Sequence, residues 1–165
     1  MIEKNQKKKI IINSFLVLII FLIDRISKIY VIYLDKKLFG SEIFSSQYLN
    51  INLIWNDGIA FGLFSLEKSN MYNFLTFIII GIITVIIFMI VKAEGLKKYS
   101  LLMILGGAIG NVFDRLFNRS VPDFIDFHIG NFHWFIFNIA DVFITIGVIF
   151  MILIENIGNN RNLKI

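Results

Sequence analysis

Residues 70–91 form a run of 22 residues without a charged side chain. At about 1.5 Å per residue, a helix of this length crosses a hydrocarbon core of about 30 Å. Further long apolar runs flank it, and 57% of the 165 residues are hydrophobic while only 17% are charged. A soluble domain of this size needs a more polar surface. The sequence therefore predicts one polytopic, mainly α-helical membrane domain over residues 1–165, with spans at about 10–34, 70–91, 99–117 and 132–154.

The basic residues predict an orientation rather than a nucleic-acid partner. Nine of the 16 Lys and Arg residues lie in the N-terminal tail, the 92–98 loop and the C-terminal tail. Basic residues favour the cytoplasmic side of a membrane, so we expect both termini in the cytoplasm. The chain has no cysteine, which excludes a thiol nucleophile, a disulfide and a thiolate metal site.

The polar region between the first two spans, about residues 40–66, is predicted to be a small extracytoplasmic β-rich segment. QYLNINLIW alternates polar and apolar residues over several positions, as a half-buried strand does, and the following NDG is a turn signal. Within the third span, GGAIG (106–110) contains the G-x-x-x-G spacing that permits close helix packing.

Three carboxylates are predicted to lie at one depth in the membrane. From the cytoplasmic edges, 14 uncharged residues precede Asp24, 15 precede Asp114, and 13 follow Asp141 on the last helix. These runs place all three acids roughly 20–22 Å above the inner boundary. Asp123 lies in the outer connection between the last two helices, so it can reach the same layer. Carboxylates at this depth are costly and by default indicate function.

Neighbouring cations separate these acids into two groups. Asp24 has Arg25 and Lys28 within one helical turn, and Asp114 has Arg115, so both acids are expected to form structural ion pairs. Asp123 and Asp141 lack such partners, apart from Arg119 four positions before Asp123. Two unpaired carboxylates that share a site titrate as a pair, one neutral and one ionised, and such a pair activates water in aspartic proteases.

Other chemistries receive less support from the sequence. His128 and His133 lack the HExxH spacing of zinc peptidases and are interpreted as interfacial residues, so we expect no metal and no organic cofactor. Asn111 and Asn138 either cap the polar network or orient the aspartates and donate to an oxyanion. Two alternatives stay open at this point: a small proton-coupled transporter subunit, and a membrane scaffold with structural ion pairs.

Five motifs resemble those of lipoprotein signal peptidases (signal peptidase II), a family of membrane aspartic peptidases. They occur in the family's order and spacing over about residues 11–155: DRISK (24–28), NDGIAFG (56–62), GNVFDR (110–115), VPDFIDF (121–127) and FNIAD (137–141). The resemblance implies four transmembrane helices and a periplasmic β-cradle around residues 44–64, between helices 1 and 2.

The same resemblance implies roles for individual residues. Asp123 and Asp141 match the catalytic aspartates. The positions that shape or support the family's site are matched by Asp24, Lys28, Asn56, Gly58, Asn111, Arg115, Asn138 and Ala140. The implied substrate is a bacterial prolipoprotein whose cysteine carries a diacylglyceryl group, cleaved just before that cysteine. Globomycin-type inhibitors would occupy this site. We expect a monomer among the lipids of the bacterial inner membrane, with its active site near the outer leaflet.

Two residues depart from the family pattern. Pro122 stands where the family usually has a small β-branched residue, and Arg119 stands where it often has glycine. Pro122 biases Val121 toward an extended conformation.

Overall fold

The fold comprises four long helices and a small antiparallel sheet. The computed structural model describes residues 2–57 and 68–162, with side chains over 6–57 and 72–157. The helices are α1 (Ile2–Lys37), α2 (Lys68–Lys92), α3 (Gly95–Asn118) and α4 (Ile139–Asn162). The strands are β1 (Phe44–Ser45), β2 (Leu49–Asn56), β3 (Val121–Ile129) and β4 (Phe132–His133). All four helices are long and apolar enough to cross a membrane. The predicted class, a multi-pass helical membrane protein with a small sheet, is confirmed.

Helix α3 lies at the centre of the bundle. It contacts each of the other three helices, and 56% of its most apolar stretch is buried, against 11% in each of the other spans. The outer helices instead present large apolar side chains such as Phe77, 74% exposed, and Phe88, 67% exposed. Such surfaces are suited to contact with lipid. Because the other helices shield α3, it can carry polar residues that must be kept away from lipid.

Glycines of α3 allow this close packing, as the G-x-x-x-G spacing predicts. A Cβ atom at Gly106 would lie 2.8 Å from the side chain of Ile20 on α1. A Cβ atom at Gly107 would collide with the carbonyl oxygen of Ala140 on α4. The neighbouring helices therefore approach α3 to a distance that leaves no room for a side chain at these positions.

The sheet draws its strands from both outer connections. Its order is β1-β2-β3-β4, and β3 and β4 lie between α3 and α4 rather than between helices 1 and 2. From the sequence, this connection is predicted to be an outer loop, and the structure shows strands there instead. The residues from Val121 to Phe124 are all buried. The polar–apolar alternation that marks a half-buried strand is therefore absent there, which is why the sequence pattern does not predict this part of β3. A register irregularity in β2 between Ile51 and Ile54 lies opposite this stretch.

Local conformation explains both ends of the α3–α4 connection. Arg119 caps α3 with φ 55° and ψ 17°, the left-handed conformation that glycine adopts most easily. Helix α4 begins at Ile139, later than the expected residue 132. The chain before it stays extended, because β4 pairs with β3 and Phe137 forms a bridge with Ile125.

Replacing Gly107 with alanine should destabilise the bundle by about 1–3 kcal/mol, because the new methyl group forces α3 and α4 apart. The matched control is Gly81→Ala in α2, where no described atom lies within 4 Å of the added Cβ. It should leave stability unchanged or raise it slightly, since alanine favours helix. Thermal unfolding in detergent measures both, and an equal response of the two variants would contradict this account of the packing.

Candidate active site

Lys28 lies at the centre of a buried ion cluster formed by α1 and α3. It is 1% exposed, and its Nζ atom lies 3.0 Å from Asp24 Oδ1, 2.7 Å from Asp114 Oδ2 and 3.0 Å from Asn111 Oδ1. An ammonium group has three N–H donors, and here each has an acceptor. These contacts join α1 to α3 through Asp114 and Asn111.

Arg25 balances the charge of this cluster. Its two terminal nitrogens donate to the two carboxylate oxygens of Asp114, and it also donates to Asp24 Oδ2. The guanidinium carbon lies 5.1 Å from the centre of the Phe113 ring. Two cations thus meet two carboxylates, and bidentate pairing makes the arrangement directional.

The expected pairing of Asp114 with Arg115 is wrong. Asp114 binds Arg25 and Lys28 of α1 instead, while Arg115 Nη1 lies 3.5 Å from the Asn111 carbonyl oxygen of its own helix. Asp114 faces α1, whose Arg25 and Lys28 occupy both of its carboxylate oxygens, so adjacency in sequence did not decide this pairing.

Asp141 is positioned by the start of α4. Asn138 Oδ1 accepts a hydrogen bond from the Asp141 N–H at 3.1 Å, and Asp141 Oδ2 accepts one from the Asn138 N–H at 3.2 Å. This reciprocal arrangement is a capping box, which satisfies two otherwise unpaired helix donors. It also places a carboxylate at the helix N-terminus, where the helix dipole favours negative charge.

Asp123 approaches the same place from the sheet. It is 4% exposed, its Oδ2 accepts a hydrogen bond from Asn56 Nδ2 at 2.8 Å, and its Oδ1 accepts one from Asn138 Nδ2 at 2.6 Å. Asn56 belongs to β2 and pairs opposite Val121 of β3. The pairing of β3 with β2 therefore places Asp123 beside the N-terminus of α4.

The two amides Asn111 and Asn138 connect these groups. Asn111 Nδ2 donates to Asp141 Oδ1 at 2.7 Å, and its Oδ1 accepts from Lys28. Asn138, which is fully buried, donates to Asn111 Oδ1 at 3.2 Å as well as to Asp123. Of the two roles left open by the sequence, these contacts favour orientation of the aspartates. Asn138 touches both acids and holds them in one site.

Burial raises the pKa of the Asp123 carboxyl above its ordinary value, because water no longer solvates the anion. Hydrogen bonds from Asn56 and Asn138 oppose this shift by stabilising the anion. The negative charge of Asp141 raises the pKa further, and the positive charge of Lys28 lowers it. The pKa stays raised, so the neutral form of Asp123 persists to a higher pH than that of a solvated aspartate.

Comparison with known proteins identifies the family. The family model described as signal peptidase (SPase) II matches residues 16–157, which include the ion cluster, Asp123 and Asp141. The chain belongs to the signal peptidase II family.

Similar proteins support this membership over nearly the whole length. A lipoprotein signal peptidase of Pelagibacter ubique is 45% identical over 159 residues, covering 96% of each chain. A lipoprotein signal peptidase of Anaplasma phagocytophilum is 39% identical, covering 90% of this chain and 94% of its own. A solved structure described as a bacterial membrane enzyme, at 1.9 Å resolution, superposes with a TM-score of 0.71 at 29% identity, covering 87% of this chain and 91% of its own. This signal peptidase II family member is therefore a membrane protease, and nothing in these comparisons favours a transporter.

The structure brings together most of the residues that the resemblance singled out. The buried Ala140 donates its N–H to Asp24 Oδ1 at 3.1 Å, which ties α4 to the ion cluster. Arg115 Nη1 lies 3.5 Å from the Asn111 carbonyl oxygen, and Gly58 falls outside the described residues. The predictions omitted Arg25 as a site residue, although its place in DRISK, next to Asp24, was a usable signal.

Removal of the Lys28 charge by Lys28→Met should destabilise the folded protein by about 3–5 kcal/mol, because it leaves buried carboxylates without one of their two cations. Lys97→Met is the matched control: Lys97 pairs with Glu155, and these side chains are 40% and 56% exposed. That pair contributes at most about 1 kcal/mol. Thermal unfolding in detergent compares the two, and a Lys28 variant as stable as the Lys97 variant would refute the role of the cluster.

Proposed function

We propose that this signal peptidase II family member is an aspartic endopeptidase whose catalytic pair is Asp123 and Asp141. It removes signal peptides from diacylglyceryl-modified bacterial prolipoproteins by cutting just before the lipidated cysteine. The observation that carries this proposal is the position of Asn138 between the two acids, bonded to both. Among the described residues, neither carboxylate forms a salt bridge, whereas Asp24 and Asp114 are fully engaged by cations.

The surroundings suggest which acid carries the proton. Asp141 lies in the first turn of α4, where the helix N-terminus and the Asn111 amide favour a negative charge. Asp123 is buried in the sheet, and its carboxyl group is held by the neutral amides of Asn56 and Asn138, so we assign the proton to Asp123. In this state Asp141 is the general base and Asp123 is the general acid.

The reaction then proceeds by addition of water. Asp141 takes a proton from a water molecule as the water oxygen attacks the carbonyl carbon before the cysteine, and Asp123 gives its proton to the carbonyl oxygen. The resulting tetrahedral intermediate collapses with rupture of the C–N bond: Asp141 gives the proton that it took from water to the departing cysteine nitrogen, and Asp123 recovers a proton from a hydroxyl group of the intermediate. The products are a signal peptide with a new carboxyl group and a lipoprotein with a free α-amino group. Asn111 orients the Asp141 carboxylate by donating to its Oδ1, and Asp24, Lys28 and Ala140 support this arrangement through the ion cluster.

The fold is consistent with a substrate anchored in the outer leaflet. The α1–α2 and α3–α4 connections lie on the same side of a four-span bundle, and they supply the strands of one sheet. The start of α1, the α2–α3 connection and the end of α4 lie on the opposite side, which we assign to the cytoplasm because basic residues are concentrated there. The site beneath the sheet is then near the outer surface, where a lipid-anchored peptide presents its scissile bond. We propose that the chain acts as one membrane domain and as a monomer among lipids in the inner membrane.

Asp123→Asn and Asp141→Asn should each abolish cleavage of a diacylglyceryl-modified prolipoprotein in detergent, with rate losses of about 10³-fold or more, because each variant lacks one proton-transfer group. Asp35→Asn, at the end of α1 and away from the site, is the control and should keep wild-type activity. Globomycin should inhibit the wild type and the control alike. Substantial activity in either dyad variant, with folding verified by unmodified thermal unfolding, would refute the assignment.

Asn56→Ala should shift the alkaline limb of the pH–rate profile to higher pH. The variant loses a hydrogen bond that stabilises the Asp123 anion, so the pKa of Asp123 rises further and its catalytically useful neutral form persists longer. Activity falls as pH increases through this pKa because the general acid loses its proton. Asn50→Ala is the matched control, since Asn50 lies in the same strand but contacts Asp126 at 3.4 Å. A shift of the same limb to lower pH in Asn56→Ala would contradict this protonation assignment.

A further inference from the structure

A second polar cluster lies on the β3–β4 hairpin, and it consists of Asp126, His128 and His133. Alternation along β3 places Asp126 and His128 on one face, and the register sets His133 directly opposite His128. The two imidazole rings stack with centroids 5.0 Å apart. His133 Nδ1 lies 2.9 Å from Asp126 Oδ2. One potential ligand atom from each of the three residues lies within 4.8 Å of the others.

Contacts within the hairpin leave this cluster incompletely satisfied. The Asp126 carboxylate is buried and is reached by His133 and, more weakly, by Asn50 at 3.4 Å. The Nδ1 atom of His128 is buried and has no hydrogen-bond partner among the described residues. An unpaired buried ring nitrogen is uncommon and costs free energy. An Asp126–His133 ion pair alone explains two of the three side chains but leaves this nitrogen unexplained.

We propose that this hairpin face binds a divalent first-row transition-metal ion such as Zn²⁺. Two imidazoles and one carboxylate are a ligand set that such ions favour, and three protein ligands leave a position for water. His133 is about half exposed, with 51% of its side chain accessible, so an ion can enter from outside. The ligand atoms of a tetrahedral zinc site lie closer together than 4.8 Å, the distance within which these three atoms now lie. The side chains therefore need only a small inward movement to bind the ion.

This site is distinct from the catalytic pair. Asp123 and Asp126 are three positions apart on one strand, so their side chains point to opposite faces of β3. A bound ion would cross-link β3 to β4, just before the extended segment that leads into the Asn138 cap. The proposal therefore concerns the stability and shape of the outer sheet and does not depend on the peptidase proposal.

The composition of the chain makes the test specific. These are the only two histidines, and there is no cysteine, so protein with a tag free of histidine has no other imidazole or thiolate ligand. Calorimetric titration of the detergent-solubilised protein with Zn²⁺ should show saturable binding of one ion per chain. Titration with Co²⁺ should show the absorption bands of a site with nitrogen ligands. Saturating Zn²⁺ should raise the unfolding temperature by about 5 °C.

Variants identify the ligands. His128→Ala and His133→Ala should each weaken Zn²⁺ affinity about ten-fold or more and remove the thermal shift, and His128→Gln should do the same with less change in packing. Asp123→Asn is the control for binding at the catalytic pair and should bind Zn²⁺ like the wild type. Absence of saturable binding in the wild type would overturn the proposal. Wild-type affinity in the folded histidine variants, or loss of binding only in Asp123→Asn, would also overturn it.

Discussion

The burial of Lys28 is the constraint on which the rest of the site depends. An ammonium group in the middle of a membrane bundle is stable only if every N–H has an acceptor and the charge is balanced. Asp24 and Asp114 provide the charge, and Asn111 provides the third acceptor. Because these partners come from α1 and α3, the requirement fixes the relative position of the two helices.

The same contacts extend from the ion cluster to the acids. Asp24 accepts the N–H of Ala140, which draws the start of α4 against α1, and Asn111 donates to Asp141. Arg25 and Lys28 pair with Asp24 and Asp114, and among the described residues no cation forms a salt bridge with Asp123 or Asp141. A cation bound directly to either acid would keep it ionised and remove its ability to exchange a proton. Amide partners orient these acids without that effect, which explains why asparagines separate the cluster from the pair.

Much of this organisation could be predicted from residue order. Run lengths indicated four spans, and depth counting predicted one layer for Asp24, Asp114 and Asp141. Contacts through Arg25, Lys28 and Asn111 show that these three acids lie close together. Two signals were present in the sequence but were not used. Asn138-x-x-Asp141 before an apolar run is a capping-box pattern, and it would have placed the start of α4 correctly. Arg119 follows the last residue of α3, and a left-handed conformation is common at this position of a helix.

The sequence by itself determined the membrane class, the number of helices and, through five motifs, the family. These are local properties, because they depend on runs of neighbouring residues. Only the tertiary structure decided that Asp114 pairs with α1 rather than with Arg115, that β3 and β4 complete the sheet, and that His128 stacks on His133. Each of these depends on which distant segments meet, and strand register and helix rotation set that choice. Asn138 illustrates both kinds of information. Its capping role depends on the four consecutive residues 138–141, whereas its hydrogen bond to Asp123 forms only because the sheet folds over the start of α4.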